Sequence, residues 1–212
     1  LAVNSAHLPL PRRREILFAC ALDGGLLGKS GRMTAFTRIR LTQLAERGAN
    51  IAVVTDRTPS SFLPLLGGAQ LRLPVVCLDG AALYDVKSAR YSDLRVMPET
   101  AARAVAGAFE KAGHGGFIYS VVRDMMHVYY GAFSNPAEEA LYEQLYASPH
   151  EAYVYGPLPA GCDALMIAAL ETDEAAGALR AAIEALPQAE YLRIRAVLAR
   201  GYPGYTRLEI LS

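Results

Sequence analysis

Apolar residues in the first third of the chain fall into short unbroken runs, each closed by a turn that carries an aspartate. Ile16 to Leu22 is the first such run and ends in Asp23-Gly24-Gly25. A run of that length closed in that way is the pattern of a strand buried in a parallel sheet. From Thr34 to Arg47 the spacing changes. Phe36, Ile39, Leu41, Leu44 and Ala45 share one broad face, with Thr34 placed as N-cap and Gly48 as C-cap, which predicts a helix. Ile51 to Val54 predicts a second buried strand ending at Thr55-Asp56-Arg57, with Pro59 where a new helix begins. Val75 to Leu78 predicts a third, ending at Asp79-Gly80. Strands and helices alternating in this order imply an α/β fold, a doubly wound parallel sheet whose ligands bind at the strands' C-terminal ends.

Beyond Tyr84-Asp85 the pattern differs. Residues 98–112 have helical spacing, Phe117 to Val122 and Met126 to Tyr130 predict hairpin strands around Arg123-Asp124, and residues 135–146 predict a helix with Asn135 as N-cap and Pro136 at N1. A strand over Ala164 to Leu170, an alanine-rich helix over Asp173 to Leu186, and strands over Tyr191 to Ala199 and Thr206 to Leu211 complete an α+β unit. The expected division is residues 1–85 and residues 86–212. Residues 1–14, with two prolines and no periodicity, read as a tail.

Composition narrows the function classes. The 212 residues carry 21 Lys and Arg against 21 Asp and Glu, and no basic run exceeds Arg12-Arg13-Arg14. This gives no electrostatic footprint for nucleic acid or for an anionic membrane. The 52% hydrophobic content suits a packed core, while the apolar runs are too short to cross a bilayer. Cys20, Cys77 and Cys162 are far apart, odd in number and without metal-ligand spacing, so the expected compartment is the reducing cytoplasm. The chain opens on Leu1 with no charged-then-apolar leader, so the expectation is no signal peptide and a fragment or trimmed product.

The three strand ends, taken together, are Ala21-Leu22-Asp23-Gly24-Gly25-Leu26-Leu27, Thr55-Asp56-Arg57 and Asp79-Gly80-Ala81. They resemble the haloacid dehalogenase superfamily, specifically its Cof-type phosphatases (subfamily IIB), whose strands end in DxDGTLL, TGR and NGA before an inserted α+β cap. The resemblance runs from about residue 15 over nearly the whole chain. It implies the N-terminal part of a phosphatase core followed by a cap, acting on small phosphorylated metabolites such as sugar phosphates with Mg²⁺. By the same resemblance Asp23 is the general acid and base, and weakly a Mg²⁺ ligand through its backbone carbonyl. Gly24, Thr55, Arg57 and Asp79 contribute to substrate binding.

The sequence departs from that pattern where chemistry is concentrated. The family's nucleophilic Asp falls on Ala21, the family Thr on Gly25, and the middle Gly of TGR on Asp56. A methyl group can neither attack phosphorus nor ligate a metal. The family's phosphate-binding Lys and GDxxxD motif have no counterpart before Ser212. The expectation is therefore a phosphatase-like chain inactive as it stands, the alternative being a non-catalytic phosphometabolite-binding or protein-interaction module. One edge of the first strand would lack its neighbour, which predicts self-association or a partner chain completing the core.

Plainer readings exist for each residue. Asp23 fits a turn at a strand end, and Thr55 and Arg57 fit an N-cap and a solvated helix charge. Gly28-Lys29-Ser30 lacks the first glycine of a phosphate-binding GxxxxGK[ST] loop. His7, His114, His127 and His150 are scattered and read as surface or packing residues. Tyr119, Tyr129, Tyr130, Tyr153 and Tyr155 read as cap core, or as a wall facing substrate.

Overall fold

The computed structural model describes residues 16–212; the expected tail over residues 1–14 lies outside the described residues. In chain order the first unit comprises β1 (Leu17–Ala21), α1 (Ala35–Glu46), β2 (Asn50–Val54), α2 (Pro59–Leu66), β3 (Val75–Cys77), β4 (Ala82–Asp85) and β5 (Arg90–Ser92). These strands form one sheet in the order β1-β2-β3-β4-β5, parallel from β1 to β3 and antiparallel thereafter. The Thr34 hydroxyl accepts the Thr37 N–H at the start of α1, and Pro59 opens α2, as the sequence predicts.

Two successive crossovers in the same direction put α1 and α2 on one face of the parallel strands, because such connections are right-handed. Cys20 and Ile51 accordingly pack with Leu41 of α1, and Val53 packs with Phe62 and Leu66 of α2. Leu22, expected to close β1, instead turns out of the strand and is fully buried. Among the described residues β1 pairs with β2 alone, and Leu17 and Phe18 remain 62% and 51% exposed.

The second unit comprises α3 (Glu99–Ala112), β6 (Phe117–Val122), β7 (Met125–Tyr130), α4 (Pro136–Leu145), β8 (Glu151–Tyr155), β9 (Met166–Thr172), α5 (Asp173–Glu184), β10 (Arg193–Leu198) and β11 (Tyr205–Leu211). Its six strands run β10-β11-β9-β6-β7-β8. Helices α3 and α5 cover one face through Val105, Phe109, Leu179 and Ile183, packed on Ile167, Leu208 and Ile210. The opposite face, with Phe117, Met126, Val128 and Met166, joins the core that includes Leu22, Val53 and Val75 of the first unit. The two units thus share one apolar cluster. No described helix is long and apolar enough to cross a membrane.

The hairpin β4–β5 and the strand β8 were not anticipated. The first sheet therefore continues to Ser92, past the expected division at residue 85. The turn between β4 and β5 is held by Asp85, whose carboxylate accepts from the Ser88 N–H and hydroxyl. Strand β8 runs parallel to β7, with α4 as the crossover.

A partly buried polar group sets the start of α4. The Asn135 side chain accepts the Ala137 and Glu138 N–H groups and donates to the Leu170 carbonyl at 2.6 Å. The Ser134 hydroxyl lies 2.8 Å from Glu138 Oε2 and 2.8 Å from Glu171 Oε1, and Glu171 Oε1 also lies 2.8 Å from His114 Nδ1. Glu138 has no exposed surface; burial pushes its carboxyl above the usual carboxylate range, the Glu171 charge adding to it and the Ser134 N–H and hydroxyl opposing it. A carboxyl raised by folding gives full stability below its ordinary range, and stability falls as pH rises through the raised value. Glu138→Gln, which keeps the shape without the titration, is expected to flatten the decline in melting temperature as pH rises above the ordinary carboxylate range. An unchanged pH profile would show that Glu138 does not contribute to that decline.

Candidate functional site

The turns after β1, β2 and β3 meet at one edge of the first sheet. Gly24 takes the left-handed conformation at φ +72°, which lets the chain reverse directly after Asp23. Arg57, at the end of the β2 turn, donates from Nε and Nη2 to the two Asp23 oxygens at 2.9 and 2.8 Å. This is a bidentate guanidinium–carboxylate fork. The buried Thr55 shapes the β2 turn, its hydroxyl accepting the Arg57 N–H at 3.2 Å. The Asp79 N–H donates to the Thr55 carbonyl at 3.2 Å, joining the second and third turns.

The second unit closes over this edge with arginines. Arg200, in the β10–β11 turn, reaches Asp23 at 3.4 Å and Asp56 at 3.2 Å. Arg193 and Arg195 of β10 hold the Asp79 carboxylate at 2.9 and 2.6 Å. Behind them Glu209 of β11 lies 2.8 Å from Arg207 and 3.6 Å from Arg195. A cleft of about 220 Å³ remains between the units, lined by Asp56, Arg57, Tyr119, Gln144, Tyr202 and Arg207 among others. A larger cavity of about 810 Å³ lies beside α3, with His114 and Tyr129 in its wall, away from the strand ends.

The electrostatics follow from these contacts. The Arg57 hydrogen bonds hold the Asp23 carboxyl below its usual range against the opposing effect of burial, and Arg200 adds to the lowering. Burial pushes Glu209 the other way, although Arg207 and Arg195 partly restrain it.

Of the residues singled out in the sequence, Asp23, Thr55 and Arg57 come together. Asp79 joins them through backbone, but its side chain is held by Arg193 and Arg195 of the second unit. Gly24 contributes backbone geometry. Ala21, the last residue of β1, presents only a methyl group, exposed and 3.7 Å from where a Cβ on Gly25 would lie. Gly28-Lys29-Ser30 forms an exposed turn rather than a helix start. Tyr119 borders the cleft, whereas Tyr130, Tyr142 and Tyr153 stack with Phe133 and Phe117 in an aromatic cluster.

The arginines of the second unit were missed. Their signal is charge at alternate positions, Arg193 and Arg195, then Arg207 and Glu209, inside strands otherwise read by their apolar residues.

Magnesium, implied by the resemblance, requires several oxygen ligands in octahedral geometry. Among the described residues no group of three or more His, Cys, Asp or Glu side chains is arranged to hold a metal ion. Both Asp23 oxygens and one Asp56 oxygen are already taken by Arg57 and Arg200. These residues do not fit a magnesium site.

Residues 18–195 match the family of haloacid dehalogenase-like hydrolases. The chain belongs to that family. No curated protein matches it in sequence. Among solved structures, a haloacid dehalogenase-like hydrolase from Bacteroides thetaiotaomicron has a TM-score of 0.65 at 13% identity, covering 92% of this chain and 70% of its own. Another from B. subtilis scores 0.64 at 18% identity, covering 92% and 73%. The subclass IIB sugar phosphatase BT4131 scores 0.60 at 16% identity, covering 91% and 68%. At these identities the structures establish a shared haloacid dehalogenase-like α/β fold.

Arg200 is the only link from the β10–β11 turn to both Asp23 and Asp56 among the contacts described. Arg200→Ala is expected to raise amide hydrogen exchange in residues 199–204 at least tenfold, with little change in β9. Exchange unchanged in that turn would show that Arg200 does not hold it.

Proposed function

We propose that this chain is a phosphatase-like member of its family that binds small phosphorylated metabolites, such as sugar phosphates, in the cleft between the strand ends and the cap, and that as it stands it does not hydrolyse them. The observation that carries this is the pairing of Ala21 with the Asp23–Arg57 fork. The position two residues before Asp23 holds no nucleophile. Arg57 and Arg200, in contrast, present guanidinium groups that suit a phosphate as well as a carboxylate. A bound phosphate displaces Asp23 as the partner of these arginines, and no metal is needed to neutralise it. The sugar phosphatase activity named for BT4131 supports the substrate class. Free Cys20, Cys77 and Cys162 suit a reducing compartment such as the cytoplasm.

A carboxylate nucleophile forms the covalent intermediate that divides one hard displacement into two easier ones. Loss of the nucleophile in another hydrolase class costs about 10⁶-fold in kcat. With Mg²⁺ present, turnover of an aryl phosphate is expected not to exceed a buffer blank. Ala21→Asp is expected to remain inactive, because one added carboxylate leaves the metal-ligand set incomplete. Glycerol 3-phosphate is expected to bind in calorimetric titration, with or without EDTA. Metal-dependent turnover by either protein, or no binding of the ester, would overturn the proposal.

Among the described residues one edge of β1 has no partner strand, which supports association with a second copy of the chain. Leu17 and Phe18 of that strand are exposed, and an edge paired with its own copy about a two-fold axis closes as a dimer. Light scattering at micromolar concentration is expected to give at least twice the 22.8 kDa monomer mass, returning to it in Phe18→Lys. A monomeric parent chain excludes this association.

A further inference from the structure

Helices α3 and α5 roof only part of the second sheet. They pack on Ile167 of β9 and on Leu208 and Ile210 of β11, while the sheet runs on through β6, β7 and β8. Ile167, Ile118 and Tyr129 are register partners across β9, β6 and β7, so one apolar row passes from under α3 toward the open half of this face. That row lines the cavity of about 810 Å³ beside α3, with residues 155–159 after β8 also in its wall. Such a volume lies within the roughly 300–1,000 Å³ of sites that enclose drug-sized molecules.

One polar side chain in that wall is held as a ligand contact needs to be. His114 follows Gly113, the left-handed C-cap of α3, and a Cβ on Gly116 would lie 2.8 Å from the Phe109 ring, so close packing fixes the segment that carries the imidazole. Nδ1 lies 2.8 Å from Oε1 of the buried Glu171, and a charged carboxylate only accepts, so Nδ1 carries the hydrogen. Nε2 has no hydrogen-bond partner among the described residues and is not buried. The carboxylate orients the ring and leaves the second nitrogen to a molecule in the cavity. The other charged residues of the wall are Glu99 and Arg103, paired at 2.7 Å, and the exposed Glu110. A phosphate would find no free arginine or lysine there.

We infer that this cavity is a second ligand site, separate from the cleft at the strand ends, and that it takes a flat aromatic molecule of two or three rings carrying a hydroxyl. The rings lie on Ile118 and Tyr129, and the hydroxyl meets His114 Nε2. An aromatic hydroxyl answers both states of the imidazole: a neutral ring accepts its O–H, and a protonated ring donates to its oxygen. The rings bury apolar surface against Ala106 and Leu158 and gain an aromatic contact with Tyr129. Gly107 of α3 lines the same cavity, and a Cβ there would meet nothing within 4 Å, which leaves room for a ring close to the helix backbone. This site stands independently of the phosphate-binding function proposed above.

The probes are 2-naphthol and 2-methylnaphthalene, which match in shape and differ in the hydroxyl, each followed by its own fluorescence on titration with the unaltered chain. Binding of 2-naphthol is expected to be tighter by about fivefold or more, the contribution of one hydrogen bond to a fixed partner. His114→Asn sets an amide N–H₂ where Nδ1 stands, keeping a donor for Glu171 and removing Nε2. It is expected to bring that preference below about twofold. Gly107→Leu fills the space beside α3 at a helix-interior position that favours a side chain over glycine, and is expected to weaken both probes about tenfold while the chain stays folded. No binding of 2-naphthol, equal affinities for the two probes, or a preference that survives in His114→Asn overturns the inference. Affinities that weaken as the chain concentration is raised place a second copy of the chain on this face and overturn it too. Should His114→Asn fail to fold, Gly107→Leu decides, unchanged affinity for 2-naphthol counting against the site.

Discussion

Arg57 reaches from the turn after β2 to take both oxygens of Asp23 in the turn after β1, and much of the site depends on that fork. It fixes two loops that follow separate strands, and it keeps a carboxylate charged in a place where burial opposes charge. Arg200 then attaches the β10–β11 turn to the same carboxylate, so the second unit meets the ion pair of the first. An exposed ion pair contributes little to stability. Here its value is geometric: a planar guanidinium with two carboxylate bonds allows one arrangement of the turns.

The parts of the fold that were legible in the sequence are those whose signal is local. Runs such as Ile51 to Val54 are closed by turn residues, and Asn135-Pro136 marks a helix start by its own chemistry. The aligned Asp23, Thr55 and Arg57 could be recognised because short turns hold them at fixed offsets from strand ends. Strand β8 could not be recognised in this way. It begins with Glu151, a buried side chain whose only hydrogen-bond partner among the described residues is the Tyr153 hydroxyl, at 3.3 Å. The short β4–β5 hairpin has three or four residues per strand and owes its order to packing of Tyr84 and Tyr91 against each other and of Tyr84 on Phe62.

Charges in strands carry a different lesson. Arg195, Arg207 and Glu209 stand in segments that alternate well enough to be read as cap strands, and at that level they pass as the polar face. Their partners lie elsewhere in the chain: Asp79 precedes Arg195 by more than a hundred positions. A pair that depends on two sheets docking has no short-range trace. The same docking explains why Asp79, correctly placed at a strand end, has its carboxylate turned to the cap.

Strand β11 lies between β10 and β9 although it follows both in sequence. Until it inserts, β10 with Arg193 and Arg195 has no bonded route to the rest of the cap sheet. The strand that joins the halves also carries Arg207 and Glu209, so the sheet and its charged floor form in the same event. Pairings of this kind close long loops before they are rewarded, which slows folding. A partly folded chain therefore holds no weakened version of the cleft, whose charged floor is complete only when the whole second sheet is.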